Sequence, residues 1–312
     1  MAEPLDLGPV IEEERARVLV GTCSWTDKTL TDGTGWYPKK SMSAAERLAF
    51  YAARFPIAEA DSTYYFPPRP ELTKGWVERT PRGFTMNVKA YGLFTGHPTK
   101  VDSLWRDIRD DLPADVAGKR NVYLHHLDEF AVDEAWKRFV TALRPLDSAG
   151  KLGAVLMQYP KWFTPRRANR EALTDMRERM GDLPVCVEFR APGWFAADDR
   201  ARTLAQLRDL GLASVVVDAP RASKLRTVLE TTTDRLAVVR FHGRDSERWD
   251  AKSTSAAERF RYLYDRRQLR SWVPKVEELA QQVREVHLLM NNCYQDYGVR
   301  NAADLQQLLL DA

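Results

Sequence analysis

Glu188 and Arg190 stand two residues apart at the end of the apolar run Val185-Cys186-Val187-Glu188-Phe189-Arg190. Side chains alternate along a strand, so this acid and base share one face while Val187 and Phe189 take the other. A charged pair at the end of a buried strand is costly unless it is used or well partnered. The same ending recurs: polar groups close the runs Ile57 to Asp61, Phe84 to Lys89, Val155 to Gln158, Val215 to Asp218, Val238 to His242 and Leu288 to Asn292. By parity Glu59 goes with Asp61, Asn87 with Lys89, Leu156 with Gln158, Val216 with Asp218, and Arg240 with His242. Pointing inward together, they form the floor of one pocket.

Their types define the available chemistry. Lys89, surrounded by arginines, is expected to have a lowered pKa and to serve as base or nucleophile. Glu188 beside Arg190, with Arg240 near, should be a strengthened acid that stays a carboxylate, able to orient a substrate or act as a weak base. His242 suits general acid/base work near neutrality, although a histidine hydrogen-bonded at a strand end is as good a reading of the same residue. Arg190, Arg240 and Arg244 offer planar forks for a carboxylate or phosphate. Gln158, Asn291 and Asn292 could hold hydroxyl or carbonyl groups, and Glu59, Asp61, Tyr64 and Asp218 complete the candidate binding set. The competing view is a salt-bridge network that merely fills the end of the fold. So many charges without a return in function would cost stability, which favours a working site.

A divalent metal is a further candidate, on Glu59, Asp61, Glu188, Asp218 and His242. No HExxH-like spacing supports it, the nearby arginines oppose a cation, and no motif requires a cofactor. Cys23, Cys186 and Cys293 contain no CxxC pair and cannot form a disulfide framework, so they are expected to be reduced thiols.

The elements that must carry these residues alternate. Strand-like runs at Val18–Cys23, Ile57–Asp61, Phe84–Ala90, Leu152–Tyr159, Val185–Arg190, Ser214–Asp218, Leu236–His242 and Val286–Asn291 are separated by helical patterns. Ser43, with Glu46 three residues on, is a capping box for a helix running to Phe55. Helices are also predicted around Glu71–Arg79, over Val132–Leu143, Asn169–Met180, Asp198–Leu210, Val273–Val283 and Ala302–Leu310, with a weaker helical reading between Ser214 and Leu236. The stretches Tyr91–Lys151 and Gly243–Glu285 are long for simple connections. Eight βα units imply parallel strands with right-handed crossovers, closed as a (β/α)8 TIM-type barrel. The chain therefore reads as an α/β single domain with long loops after strands 3 and 7, residues 18–312, behind a flexible N-terminal tail of residues 1–17. A doubly wound open sheet is the alternative, but Cys23-Ser24-Trp25 replaces a glycine-rich phosphate turn.

A sequence of 312 residues with 44% hydrophobic content can bury a large core, and a net charge of +3 with interspersed signs predicts no general affinity for polyanions. The interleaved bases and aromatics of Glu258–Arg267 could contact nucleic acid, but Phe260, Leu263 and Tyr264 also fit one packed face of a solvated helix. No apolar stretch approaches the roughly 18 residues of a membrane span, and the acidic start lacks the order of a signal peptide. A cytoplasmic protein without membrane contact is expected. Trp36, Tyr37, Tyr64, Tyr65, Phe66, Trp194 and Trp249 are expected at the pocket rim, His125-His126 at a structural or surface position.

The motifs Gly21-Thr22-Cys23-Ser24-Trp25, Glu59-Ala60-Asp61-Ser62-Thr63-Tyr64-Tyr65, Val88-Lys89-Ala90 with Thr95-Gly96-His97, Lys151-Leu152-Gly153 through Gln158-Tyr159-Pro160, Val187-Glu188-Phe189-Arg190, Arg240-Phe241-His242-Gly243-Arg244 and Asn291-Asn292 together resemble the YecE-like proteins, domain-of-unknown-function family 72. The resemblance covers nearly the whole chain after the tail. It implies the barrel and supplies no reaction. Against the family pattern, Asp61 stands where Asn is expected, changing the charge of the site if that position is a ligand, and Gly96 separates Thr95 from His97.

These readings converge on an enzyme that works by general acid/base chemistry on a polar, anionic small molecule, with Lys89, Glu188 and His242 reacting. An isomerase or lyase of a phosphorylated or carboxylated metabolite is the first choice. A metal-dependent phosphodiester hydrolase, with nucleic acid among its substrates, and a non-catalytic small-molecule binder are the alternatives.

Overall fold

The computed structural model describes residues 7–13, 15–249 and 256–312. Eight parallel strands follow one another round a closed barrel: β1 (Arg17–Thr22), β2 (Ile57–Ala60), β3 (Thr85–Lys89), β4 (Leu152–Tyr159), β5 (Val185–Phe189), β6 (Ala213–Asp218), β7 (Leu236–Phe241) and β8 (Glu285–Met290). Each pairs with its neighbour in sequence, and β8 pairs with β1 over six residues from Glu285↔Arg17 to Met290↔Thr22. These are the eight expected strands, with ends moved by a residue or two. Valine, leucine and isoleucine fill them because both faces of a parallel sheet are covered.

The seam between β1 and β2 is short, with only Gly21↔Ile57 and Thr22↔Ala58 in register. The hydroxyl of Tyr51 stitches it, accepting from Thr22 N at 2.7 Å and donating to Ile57 O at 2.9 Å. Gly21 permits the approach: a Cβ there would lie 2.0 Å from Ile57 O.

Helices α1 (Ala44–Ala52), α2 (Pro70–Glu78), α3 (Glu129–Ser148), α4 (Arg167–Met180), α5 (Ala197–Asp209), α6 (Arg266–Arg270), α7 (Val273–Ala280) and α8 (Tyr297–Leu310) cover the outside. The capping box at Ser43 and Glu46 forms as the spacing requires, Ser43 N donating to Glu46 Oε2 at 2.6 Å and Glu46 N to Ser43 Oγ at 3.2 Å. Lys151 just before β4 caps the other end of α2, its Nζ donating to Val77 O and Thr80 O at 2.8 and 2.7 Å. The outer faces of the strands and the inner faces of these helices make the main core; Leu19, Ile57, Ala154, Leu156, Cys186, Val215, Val217, Val238 and Leu289 fill the barrel itself.

Three expectations need correction. The β6–β7 connection contains one 3-10 turn at Arg221–Ser223 and no α-helix: the apolar spacing of Leu225, Val228 and Leu229 is too short to sustain one beside the β-branched run Thr231-Thr232-Thr233. Phe260 to Tyr264 are not helical: a short helix ends at Arg259, and Tyr264 reaches the core from extended chain. Within the expected tail, Gly8 N donates to Ala52 O, Ile11–Glu12 pairs antiparallel with β1, and Ile11 is buried. Residues 1–6 lie outside the described residues. No helix among the described residues is long and apolar enough to cross a membrane.

Candidate functional site

Arg240 comes from the inner face of β7 and lies across the barrel's C-terminal end, only 1% exposed. Its Nη1 donates to Glu188 Oε2 of β5 at 2.6 Å, and its Nη2 donates to Glu59 Oε1 of β2 at 2.6 Å and to Asn291 Oδ1 at 3.2 Å. Cys23 Sγ, just past β1, is 3.5 Å from the same Nη2. One guanidinium thus links four strands. Glu188 Oε1 accepts from Gln158 Nε2 of β4 at 2.8 Å and lies 2.6 Å from Arg190 Nε. Burial would raise the Glu188 pKa, but the flanking Arg190, His242 and Arg240 overcome it and hold the carboxyl well below its usual range. Both are fixed charges.

Asn291 Nδ2 lies 2.8 Å from His242 Nδ1, and because the Oδ1 of the same amide faces Arg240, the amide donates and His242 Nδ1 accepts. The ring proton then sits on Nε2, 3.2 Å from Glu188 Oε1 but out of line for a hydrogen bond. Burial, then Arg190, pushes the His242 pKa down to about 3. The titration expected near neutrality is therefore lost: at pH 7 the ring is neutral.

Above this buried layer lie half-buried groups. Lys89, at the end of β3, makes no ion pair or hydrogen bond through Nζ among the described residues; its ammonium sits 4.6 Å from the ring centre of Tyr64. Burial and then Arg240 lower its pKa. Asp61, two residues past Glu59, carries no side-chain hydrogen bond among the described residues. Burial raises its pKa to about 6, against the pull of Lys89. The two groups that sense each other are the two without fixed partners, and both are displaced toward neutrality.

The structure brings Glu59, Asp61, Tyr64, Lys89, Gln158, Glu188, Arg190, Arg240, His242 and Asn291 to one mouth. It places Asp218, Arg244 and Asn292 elsewhere. On β6 the interior residues are Val215 and Val217, so Val216 and Asp218 face the helices, not the pocket. Asp218 Oδ1 accepts from Tyr264 Oη at 2.9 Å and Arg244 Nε at 2.8 Å, and Oδ2 accepts from Trp272 Nε1 at 2.8 Å. Arg244 is spent on this cluster. Asn292 is turned outward as well, donating to Tyr262 O and Asn301 Oδ1, both at 2.8 Å. The five candidate metal ligands are consequently split by the barrel wall, and the guanidinium of Arg240 occupies the space between Glu59 and Glu188. Among the described residues no group of three His, Cys, Asp or Glu is placed to hold a metal ion.

The rim aromatics also divide. Tyr65 and Phe66 are exposed, Tyr64 covers Lys89, and Trp249 packs 4.9 Å over the Arg190 guanidinium. Trp36 and Tyr37 instead pack on Phe50 of α1, and Trp194 is fully buried, stacked on Phe189 at 4.1 Å. Burial pushes the thiols of Cys23, Cys186 and Cys293 well above their usual pKa, so they stay protonated. His126 Nδ1 accepts from Tyr123 N at 3.2 Å and serves its own loop.

His97 is the residue that sequence reasoning missed. It stands in the loop after β3, where its Nδ1 meets Thr95 Oγ1 at 2.9 Å and its ring lies 5.2 Å from that of Tyr64. Burial, then the charges of Lys89 and Arg190, lowers its pKa to about 4, which places it among the mouth residues as a neutral ring. Its motif, Thr95-Gly96-His97, was visible, but no strand register fixes the direction of a loop side chain.

A family model described as "Protein of unknown function DUF72" matches residues 19–312. The chain is 30% identical over 287 residues to UPF0759 protein YunF of Bacillus subtilis, covering 88% of this chain and 93% of the relative. A DUF72 family protein from Thermotoga maritima superposes with a TM-score of 0.72 at 28% identity, covering 94% of this chain and 99% of the other. A DUF72 family protein from Enterococcus faecalis does so with a TM-score of 0.74 at 24% identity, covering 94% and 95%.

Proposed function

Since this chain belongs to the DUF72 family, a membership that brings the barrel and names no reaction, we propose from its own residues that the mouth is an acid/base active site for an anionic small molecule. The observation that carries this reading is the contrast between layers. Glu59, Glu188, Arg190 and Arg240 have their charges tied in place, whereas the side chains of Lys89 and Asp61 above them make no hydrogen bond or ion pair among the described residues. A fixed ionic floor beneath two free, pKa-shifted groups is what proton transfer near neutrality requires.

Roles follow from protonation. Asp61, with a pKa of about 6, is mostly a carboxylate at pH 7 and accepts a proton from the carbon next to a carbonyl or carboxyl group. The Lys89 ammonium faces the negative charge that develops and, with Arg190, holds the anionic group of the substrate. Glu188 and His242, assigned reacting roles from sequence, become positioning residues: one is a locked carboxylate, the other a neutral ring. An isomerisation or elimination on a phosphorylated or carboxylated metabolite suits such a pair.

The test is solvent-proton exchange. The purified protein is incubated in deuterated water with a panel of phosphorylated and carboxylated metabolites, and deuterium entering carbon positions is followed by mass spectrometry. Exchange that disappears in both Lys89→Met and Asp61→Asn supports the assignment. Exchange that persists in both variants overturns it.

A further inference from the structure

A concave region adjoins the residues of the mouth. It is a groove of about 760 Å³ between the loop after β3 and the start of α4, lined chiefly by Phe94, Tyr123, Trp136, Tyr159, Trp162 and Phe163. The size is that of a small-molecule site, and the lining is the apolar, aromatic kind such sites use. Phe94 is stacked on Trp136 at 3.9 Å and Tyr159 on Phe163 at 4.1 Å, so the walls are rigid aromatic surfaces.

The groove and the mouth share their dividing wall. Thr95 and Gly96 line the groove, and the next residue, His97, feels the charges of Lys89 and Arg190 in the mouth. Tyr159 faces the groove, and the preceding residue, Gln158, bonds Glu188 in the mouth. Trp162 stands at the junction, its ring 5.9 Å from that of His97, and is left 58% exposed. The acids Glu129 and Asp175 line the groove and oppose an anion there, whereas Arg166 lies exposed at its rim. An anionic group therefore belongs over Lys89 and Arg190, and the groove can take only what lies beyond it.

We propose that this groove binds the planar, apolar body of the substrate, so that the ligand of the mouth is an aryl or heteroaryl compound bearing a phosphate or carboxylate. The proposal rests on the anion-binding reading of the mouth given above. Trp162 is the gate residue, stacking on the ring system where it leaves the ionic site. Its indole face gives up exposed apolar area when the ligand arrives.

Calorimetry on the full chain with matched pairs of probes separates the two readings. The pairs are inorganic phosphate against 1-naphthyl phosphate, and acetate against 1-naphthylacetate. The expected result is at least tenfold tighter binding of the aryl member of whichever pair binds. Trp162→Ala should remove most of that gain while leaving the small anion's affinity unchanged, and Trp162→Phe should restore part of it. Lys89→Met should weaken both members of the pair by a similar factor. Equal affinity for small and aryl anions overturns the groove proposal and leaves the mouth reading standing. Binding of 1-naphthol without binding of any anion overturns the mouth reading and, with it, the aromatic-anion assignment.

Discussion

Arg240 and Asp218 end neighbouring strands, and each gathers several charged or polar partners, yet they stand on opposite faces of the same sheet. Arg240 points into the barrel and joins Glu59, Glu188 and Asn291. Asp218 points out and joins Arg244, Tyr264 and Trp272, pinning the long loop after β7 to the barrel wall. Counting bonds does not tell the two apart. What differs is the neighbourhood: above Arg240 the side chains of Lys89 and Asp61 make no hydrogen bond or ion pair among the described residues, while around Asp218 the nearby Arg244, Tyr264 and Trp272 all donate to its carboxylate. A buried ionic cluster alone is architecture; on the reading proposed above, one roofed by uncommitted titratable groups is a platform for chemistry.

Arg240→Met should be the most damaging change, because it leaves Glu59 and Glu188 buried without their shared cation. Chemical denaturation should show a loss of roughly 3–5 kcal/mol. A loss below about 1 kcal/mol would mean the floor is not a buried network. Asp218→Ala should cost less, roughly 2–3 kcal/mol, since Arg244 can turn to water while Trp272 Nε1 and Tyr264 Oη lose a partner in the core. Any exchange activity of the folded fraction should survive it, and its disappearance would erase the distinction between the clusters.

Asp61→Asn sharpens the comparison through pH. A carboxyl whose folded pKa is raised binds more protons in the folded state than in the unfolded, so its contribution is fully present below the ordinary value of 3.8 and is lost as pH rises through about 6. At pH 7 the ionised Asp61 is a burden, and the asparagine variant should gain roughly 1–2 kcal/mol once solvent screening is allowed for. At pH 4 the two proteins should be alike; a gain independent of pH would show that Asp61 is not held neutral-leaning. Lys89→Met should have the smallest effect, within about 1 kcal/mol in a melt at pH 7, because no ion pair is broken. A large loss would expose a structural role.

Much of this was legible in the sequence. The eight strands were, because buried parallel strands are continuous apolar runs with abrupt polar ends. The inward face of β5 and β7 was also legible, since Val187 and Phe189 alternate with Glu188, and Val239 and Phe241 with Arg240. On β6 that signal fails: Val215-Val216-Val217 is apolar at every step, so nothing in the pattern says which way Asp218 turns. Asn292 was misplaced for a related reason, as consecutive asparagines at the end of β8 must face opposite ways and only one can enter the mouth. His242 kept its place but not its expected titration, because the depth of burial that drives its pKa to about 3 depends on Trp249 and Phe260 covering it from a distant loop.

The stitch made by Tyr51 has a mechanical consequence. One residue beyond each side of that seam, Cys23 and Glu59 reach the same guanidinium, so one phenolic oxygen holds at a fixed spacing the two strand edges that lead to it. Tyr51→Phe would alter no group that a ligand could touch, yet it would let those edges slide against each other. Affinity lost there would be a matter of alignment alone, and it would mark the seam as the place where this cylinder is tuned.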